Sequence, residues 1–161
     1  MPAHAFIAPI RRRPVMTVNR VPQSISAEDQ GRWEHFAHDA DIGVRGIGSS
    51  PGAAFEQAAL ALTAVVAGPS RIASRQAVSI RCSAPDLEVL FVEWLNCLVF
   101  EMATRGMLFA RFAATIEDNE LHGTAWGEEV VVERHRPAAE VKGATFTSLR
   151  VGQDENGNWV A

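Results

Sequence analysis

A histidine and two aspartates, His38, Asp39 and Asp41, stand close together in HDADIGV, residues 38 to 44, directly before a stretch that reads as a strand. Carboxylates at alternate positions of an extended chain project from one side, and hard divalent cations take several oxygen ligands, so this pair could begin a cation site. The same residues serve equally well in a turn, accepting bonds from local backbone N–H groups. A second acidic pair, Glu128 and Glu129 in WGEE at residues 126 to 129, would point to opposite faces of a regular strand. At most one of them can then share a site with Asp41; a solvated hairpin corner is the alternative. Lys142, in EVKGATF, is the single lysine of a chain with fourteen arginines. On a strand it is either a solvated edge charge or an ammonium paired with a carboxylate. RHRP, residues 134 to 137, offers cations for a phosphate or simply forms a loop. There is no GxSxG, Walker A loop or HExxH, and the glycines at 43, 46 and 48 have the wrong spacing for a dinucleotide fingerprint.

These residues need elements to hold them. The 161 residues suffice for one domain, and the 47% hydrophobic content suits a buried core. Residues 1 to 30 contain four prolines and no periodicity, which predicts a flexible leader ahead of a single domain over 31–161. Five arginines against Glu28 and Asp29 make residues 1 to 32 carry +3, whereas the remainder holds ten basic and seventeen acidic residues, or −7. An acidic folded part argues against a surface built throughout to grip nucleic acid. The most hydrophobic stretch, LEVLFVEWLNCLVF, is interrupted by Glu88, Glu93 and Asn96, so no membrane span is expected. Cys82 and Cys97 lack the spacing of a disulfide scaffold or a zinc site and read as small core hydrophobes in a reducing cytoplasm.

Asp41 to Gly48 reads as a strand in which the glycines mark a bulge or the close approach of another backbone. Ser50, Pro51 and the terminating Gly68-Pro69 delimit a helix over about 50–67, with Phe55, Ala59, Leu62 and Val66 on one face. Ala77 to Cys82 alternates as a half-buried strand. A second helix over about 84–105 follows, with Ser83 and Asp86 in capping-box spacing, an apolar stripe from Leu87 to Met102, and Gly106 as its stop. Beyond it come short branched runs: MLFARFAATI, LHGTAW, EVVVER, VKGATFTSLRV and NWVA. With no crossover helix among them, these predict mostly antiparallel strands. The expected fold is α+β, largely antiparallel sheet packed with two main helices.

Taken in order, HDADIGV, GSSPGAAFEQAALAL, DLEVLFVEWLNCLVF, WGEE and EVKGATFTSLRV resemble the archease family, from Trp33 to the C-terminus. The resemblance implies a small accessory protein of an RtcB-type RNA ligase, the enzyme that joins RNA ends in tRNA splicing and RNA repair. Such a protein promotes guanylylation and multiple turnover of the ligase rather than acting as an enzyme, and it meets tRNA or other RNA only through that partner. It also implies a divalent cation (calcium, manganese or magnesium) held by acidic residues. Carried over, Asp41 and Glu129 are the expected metal ligands, and His38, Asp41, Glu128 and Lys142 the ligase-activation surface. Asp39 stands where the family has threonine and Phe146 where tyrosine is usual. The family's C-terminal aspartate, a cation ligand, has no counterpart before Ala161. Two rivals stand beside this reading: a chaperone-like protein-binding module with no metal or nucleotide role, and a metal-dependent phosphatase or nuclease, which would require more carboxylates than residues 38 to 41 offer.

Overall fold

Arg32–His38 (β1) and Asp41–Gly48 (β2) pair antiparallel in unbroken register, from Arg32 opposite Ile47 to His38 opposite Asp41, in a computed structural model that describes residues 31–38 and 41–161. The leader expected over residues 1 to 30, and Asp39, lie outside the described residues. Two short strands, Gly152–Gln153 (β6) and Trp159–Val160 (β7), complete a four-stranded sheet of order β1-β2-β7-β6. A second sheet, of three strands, joins Gln76–Ser83 (β3), Met107–Glu117 (β4) and Glu120–Glu129 (β5) in the order β3-β5-β4. All pairings are antiparallel, and the α+β architecture anticipated from the sequence is the one observed.

Helix α1, Pro51–Val66, touches β1 and β2 of one sheet and β4 of the other. Its small residues permit that double burial. Gly52, Ala54, Ala58 and Ala61 are buried along with Phe55, Ala59 and Leu62, so the helix backbone comes close to both sheets. Gly46 shows how close: a Cβ there would lie 1.9 Å from the Ala54 carbonyl oxygen and 2.3 Å from the Ala58 nitrogen. The β2 glycines therefore mark a close backbone approach, and the bulge falls instead in β4, between Phe109 and Arg111. On the far side of the helix, Ala114 N–H donates to Glu56 Oε1 at 2.8 Å and Thr63 Oγ1 to the Phe109 carbonyl at 2.8 Å.

Helix α2, Leu87–Arg105, buries Leu90, Phe91, Trp94, Leu95 and Leu98, the stripe its periodicity requires. Trp94 is fully buried, and its Nε1–H donates to the Phe55 carbonyl at 3.1 Å, locking α2 to α1. Gly106 adopts φ 62° and ψ 38°, the left-handed stop that a side chain would resist. The helix begins later than the sequence suggests because Asp86, not Ser83, is the cap: its carboxylate accepts from Val89 N–H at 2.9 Å, while Ser83 remains in β3. No described helix is long and apolar enough to cross a membrane.

Two segments depart from expectation. EVVVER, expected as a strand, ends in a helical turn, Val132–His135 (α3). The β4 ladder begins at Met107 opposite Glu129 and Val130 N–H turns to the Gly106 carbonyl, so no partner strand remains for the residues that follow. VKGATFTSLRV forms no strand either: residues 137–151 run as an irregular strap. Its half-buried residues, Val141, Ala144, Leu149 and Val151, pack on the core at unequal spacing, which no period of two can satisfy. The strap is tied down instead by single bonds, from Ala138 N–H to the Val66 carbonyl at 2.8 Å and from Ala144 N–H to Asn96 Oδ1 at 2.8 Å.

Candidate functional site

The strap and the β1-β2 sheet, together with Leu62 and Val65 of α1 and Phe91 and Val92 of α2, border a groove of about 1000 Å³, and most of the sheet's share comes from the face turned away from α1. The strand period puts Arg32, Glu34 and Phe36 of β1 and Asp41, Gly43 and Arg45 of β2 on that face. Phe36 lies flat over Gly43, where a Cβ would come within 2.2 Å of its ring, and the Arg45 guanidinium stands 4.9 Å from the ring centroid. Arg45 Nη1 also donates to Glu34 Oε1 at 2.6 Å. One wall is the strap, contributing Lys142 and Arg150, and the turn after β6 adds Asp154 and Glu155.

Asp41 and Lys142, distant in the sequence, thus line one groove, and both are exposed. His38 stands opposite Asp41 in the β1–β2 register. Lys142 sits on irregular backbone rather than on the expected strand. Asp154 is committed to its own turn: Oδ1 accepts from the N–H groups of Asn156 and Asn158, each at 2.9 Å. Partial burial raises its pKa, but those bonds outweigh burial and hold it below the ordinary value. Glu34, Phe36 and Arg45 were not singled out from the sequence; the available signal was the strict alternation of Arg32, Glu34 and Phe36 opposite a glycine-bearing strand.

Glu128 and Glu129 do not line this groove. Glu129 is exposed at the end of β5, opposite Met107. Glu128 is buried, with its side chain 5% exposed, and all its acceptor capacity is used. Oε1 accepts from Ala73 N–H at 2.8 Å and lies 3.1 Å from His135 Nε2; Oε2 lies 3.2 Å from Arg75 Nε and 2.8 Å from Arg134 Nη2. Val131 N–H donates to His135 Nδ1 at 2.9 Å, which assigns the imidazole proton to Nε2 and makes that nitrogen the donor to Glu128. The Ala73 N–H, then His135, Arg134 and Arg75, hold the Glu128 carboxyl down at about 2. This is a clasp joining the loop before β3, the end of β5 and α3. RHRP therefore supplies an ion-pair partner for Glu128, the exposed Arg134, and a buried histidine.

For a divalent cation the described residues offer little. No three His, Cys, Asp or Glu side chains among them converge at ligand spacing. Asp41 and Glu129 lie on different sheets, and Glu34 and Asp154 are engaged by Arg45 and by the asparagine turn. With Asp41 lining the groove and Glu129 outside it on the other sheet, the two carboxylates do not converge on one ion, and the pair does not fit the role. What the groove does present is a carboxylate, Asp41, and an ammonium, Lys142.

Cys82 and Cys97 are half-buried against the main core, as small hydrophobes, and neighbour one another. Burial first, then Cys97 and Glu93, pushes the Cys82 thiol up to about 12, so it stays protonated and unreactive at neutral pH.

Comparison with known proteins places the chain in a family. The chain is 35% identical to protein archease of Pyrococcus furiosus over 134 residues, which is 81% of this chain and 94% of that protein. It is 36% identical to protein archease of Thermococcus gammatolerans, again over 81% of this chain and 94% of that one. The solution structure of Methanobacterium thermoautotrophicum protein 1598 superposes with a TM-score of 0.68 at 32% identity, covering 83% of this chain and 95% of that chain. A family model described as the Archease protein family (MTH1598/TM1083) matches residues 33–161, and the chain belongs to that family.

Proposed function

We propose that this archease is an accessory protein of an RtcB-type RNA ligase, and that it promotes guanylylation and repeated turnover of the ligase without catalysing a reaction itself. The observation that supports this reading is the convergence of Asp41 and Lys142 on one groove, from elements far apart in the chain. Asp41 presents a fixed negative charge at the start of β2, with His38 beside it in register. Lys142 presents a compact cation suited to a phosphate or a carboxylate of the ligase. RNA associates through the ligase, in keeping with an acidic folded part that holds ten basic and seventeen acidic residues beyond Arg32.

A second reading, a protein-binding chaperone-like module, draws support from exposed apolar side chains. Phe100, Val132 and Phe146 are each exposed by 61% or more. One experiment separates the two: mixing the protein with an RtcB-type ligase and GTP, and following formation of the ligase–GMP adduct. Accelerated adduct formation, lost in Asp41→Asn and Lys142→Met at unchanged circular dichroism, supports the first. No acceleration, with recovery of many unrelated proteins on an affinity column, supports the second.

A further inference from the structure

The strap has to hold Lys142 over the groove without the ladder of a strand. Among the described residues, the only backbone hydrogen bond tying residues 139–148 to either long helix is the one from Ala144 N–H to Asn96 Oδ1, 2.8 Å. Asn96 lies half-buried on α2, whose neighbouring side chains are apolar on the core face. It also sits against the residue directly after Lys142: a Cβ on Gly143 would stand 3.2 Å from Asn96 Oδ1, tighter than most such contacts. On the other side of Lys142, Val141 packs against both the main core and a smaller apolar cluster of Val66, Ala67, Ile72 and Leu108. The lysine backbone is therefore gripped at two points, by the Val141 side chain and by the Asn96 amide oxygen.

We infer that Asn96 is the positioning residue for Lys142, fixing the strap so that the ammonium faces the groove. The inference deepens the proposed function and rests on it. An acceptor at this position is what the geometry requires. Aspartate supplies one at the same place, and leucine fills the same volume without one. In Asn96→Leu, the Ala144 amide loses its partner and the strap around it moves away from α2, while its end stays bonded to α2 through Val151 N–H and Glu88 Oε1 at 3.4 Å; in Asn96→Asp the whole strap stays.

Two readouts test this on the full chain. The first is hydrogen exchange of the Ala144 amide by NMR. Asn96→Leu should speed it by tenfold or so while the α2 and β5 amides remain protected, and Asn96→Asp should leave it slow. The second is the number of turnovers an RtcB-type ligase makes with each variant. Asn96→Leu should lower the stimulation by roughly fivefold to tenfold, and Asn96→Asp should restore most of it. Retained Ala144 protection in Asn96→Leu overturns the inference, as does full stimulation despite lost protection. Equal loss in the leucine and aspartate variants overturns it too, since it makes the bond irrelevant. If the wild-type chain itself fails to stimulate the ligase, the proposed function falls, and the exchange measurement still decides whether Asn96 holds the strap.

Discussion

Gly46→Ala should be among the most damaging single-methyl changes in this protein. Gly46 does not use a left-handed backbone conformation, so the effect is steric alone. The added Cβ would lie 1.9 Å from the Ala54 carbonyl oxygen, which is roughly 1 Å or more inside any tolerable contact. Relief requires α1 to move away from β2, but α1 is held on its far side. A Cβ on Gly52 would already meet the Ala114 carbonyl oxygen at 2.3 Å, and Glu56 and Thr63 bond the β4 backbone there. With both sides closed, the cost should reach or exceed the upper end of core overpacking, about 3 kcal/mol. For a domain of this size that lowers Tm by about 10 °C. Gly68→Ala is the control. Gly68 has φ −63° with nothing nearer than the Arg71 side chain at 3.9 Å, so alanine should raise Tm by a degree or two through the unfolded chain, about 0.5 kcal/mol. Thermal melts followed by circular dichroism decide it. A Gly46→Ala melt within experimental error of wild type would refute the close-packed sandwiching of α1.

The clasp around Glu128 makes stability depend on pH. Its folded pKa of about 2 lies below the ordinary 4.5, so its contribution is complete above about pH 4.5 and fades as pH falls towards 2. Urea midpoints between pH 2 and 5 should therefore drop less steeply in Glu128→Gln than in wild type; parallel curves would contradict the clasp. Trp94→Phe deletes the bond to the Phe55 carbonyl and opens space beside Gly123, where the indole now fills the volume of a missing Cβ; a loss of about 2 kcal/mol in urea unfolding is expected. Asp86→Ala removes the α2 cap and should cost about 1 kcal/mol, with Asp86→Ser restoring most of it.

The parts of the fold that were legible in the sequence are those where one local rule decides. The α1 and α2 stripes, the Gly106 stop and the alternation of Val78 and Ile80 follow from periodicity and from the backbone freedom of glycine. The strap was not legible, because EVKGATF carries β-branched and aromatic residues whose strand propensity has no partner strand to satisfy it. Residues 132 to 135 turned helical for a similar reason, once β4 had no residue left to pair with them. Asp41 and Lys142 could be picked out by type, but their convergence depends on how the strap crosses the sheet, and no local pattern encodes that. Glu128 shows the opposite case: an acid that looks available from its neighbours is consumed by a histidine seven residues on and by arginines from two other segments.

The proposed action of Asp41 and Lys142 from one groove on an RNA ligase can be read from the amount of RNA joined per ligase molecule with RNA and GTP in large excess, in the presence of wild type, Asp41→Ala or Lys142→Ala. Many joined RNAs per ligase are expected with wild type and about one with either variant, both variants melting as wild type does. Repeated turnover sustained equally by all three proteins would contradict it.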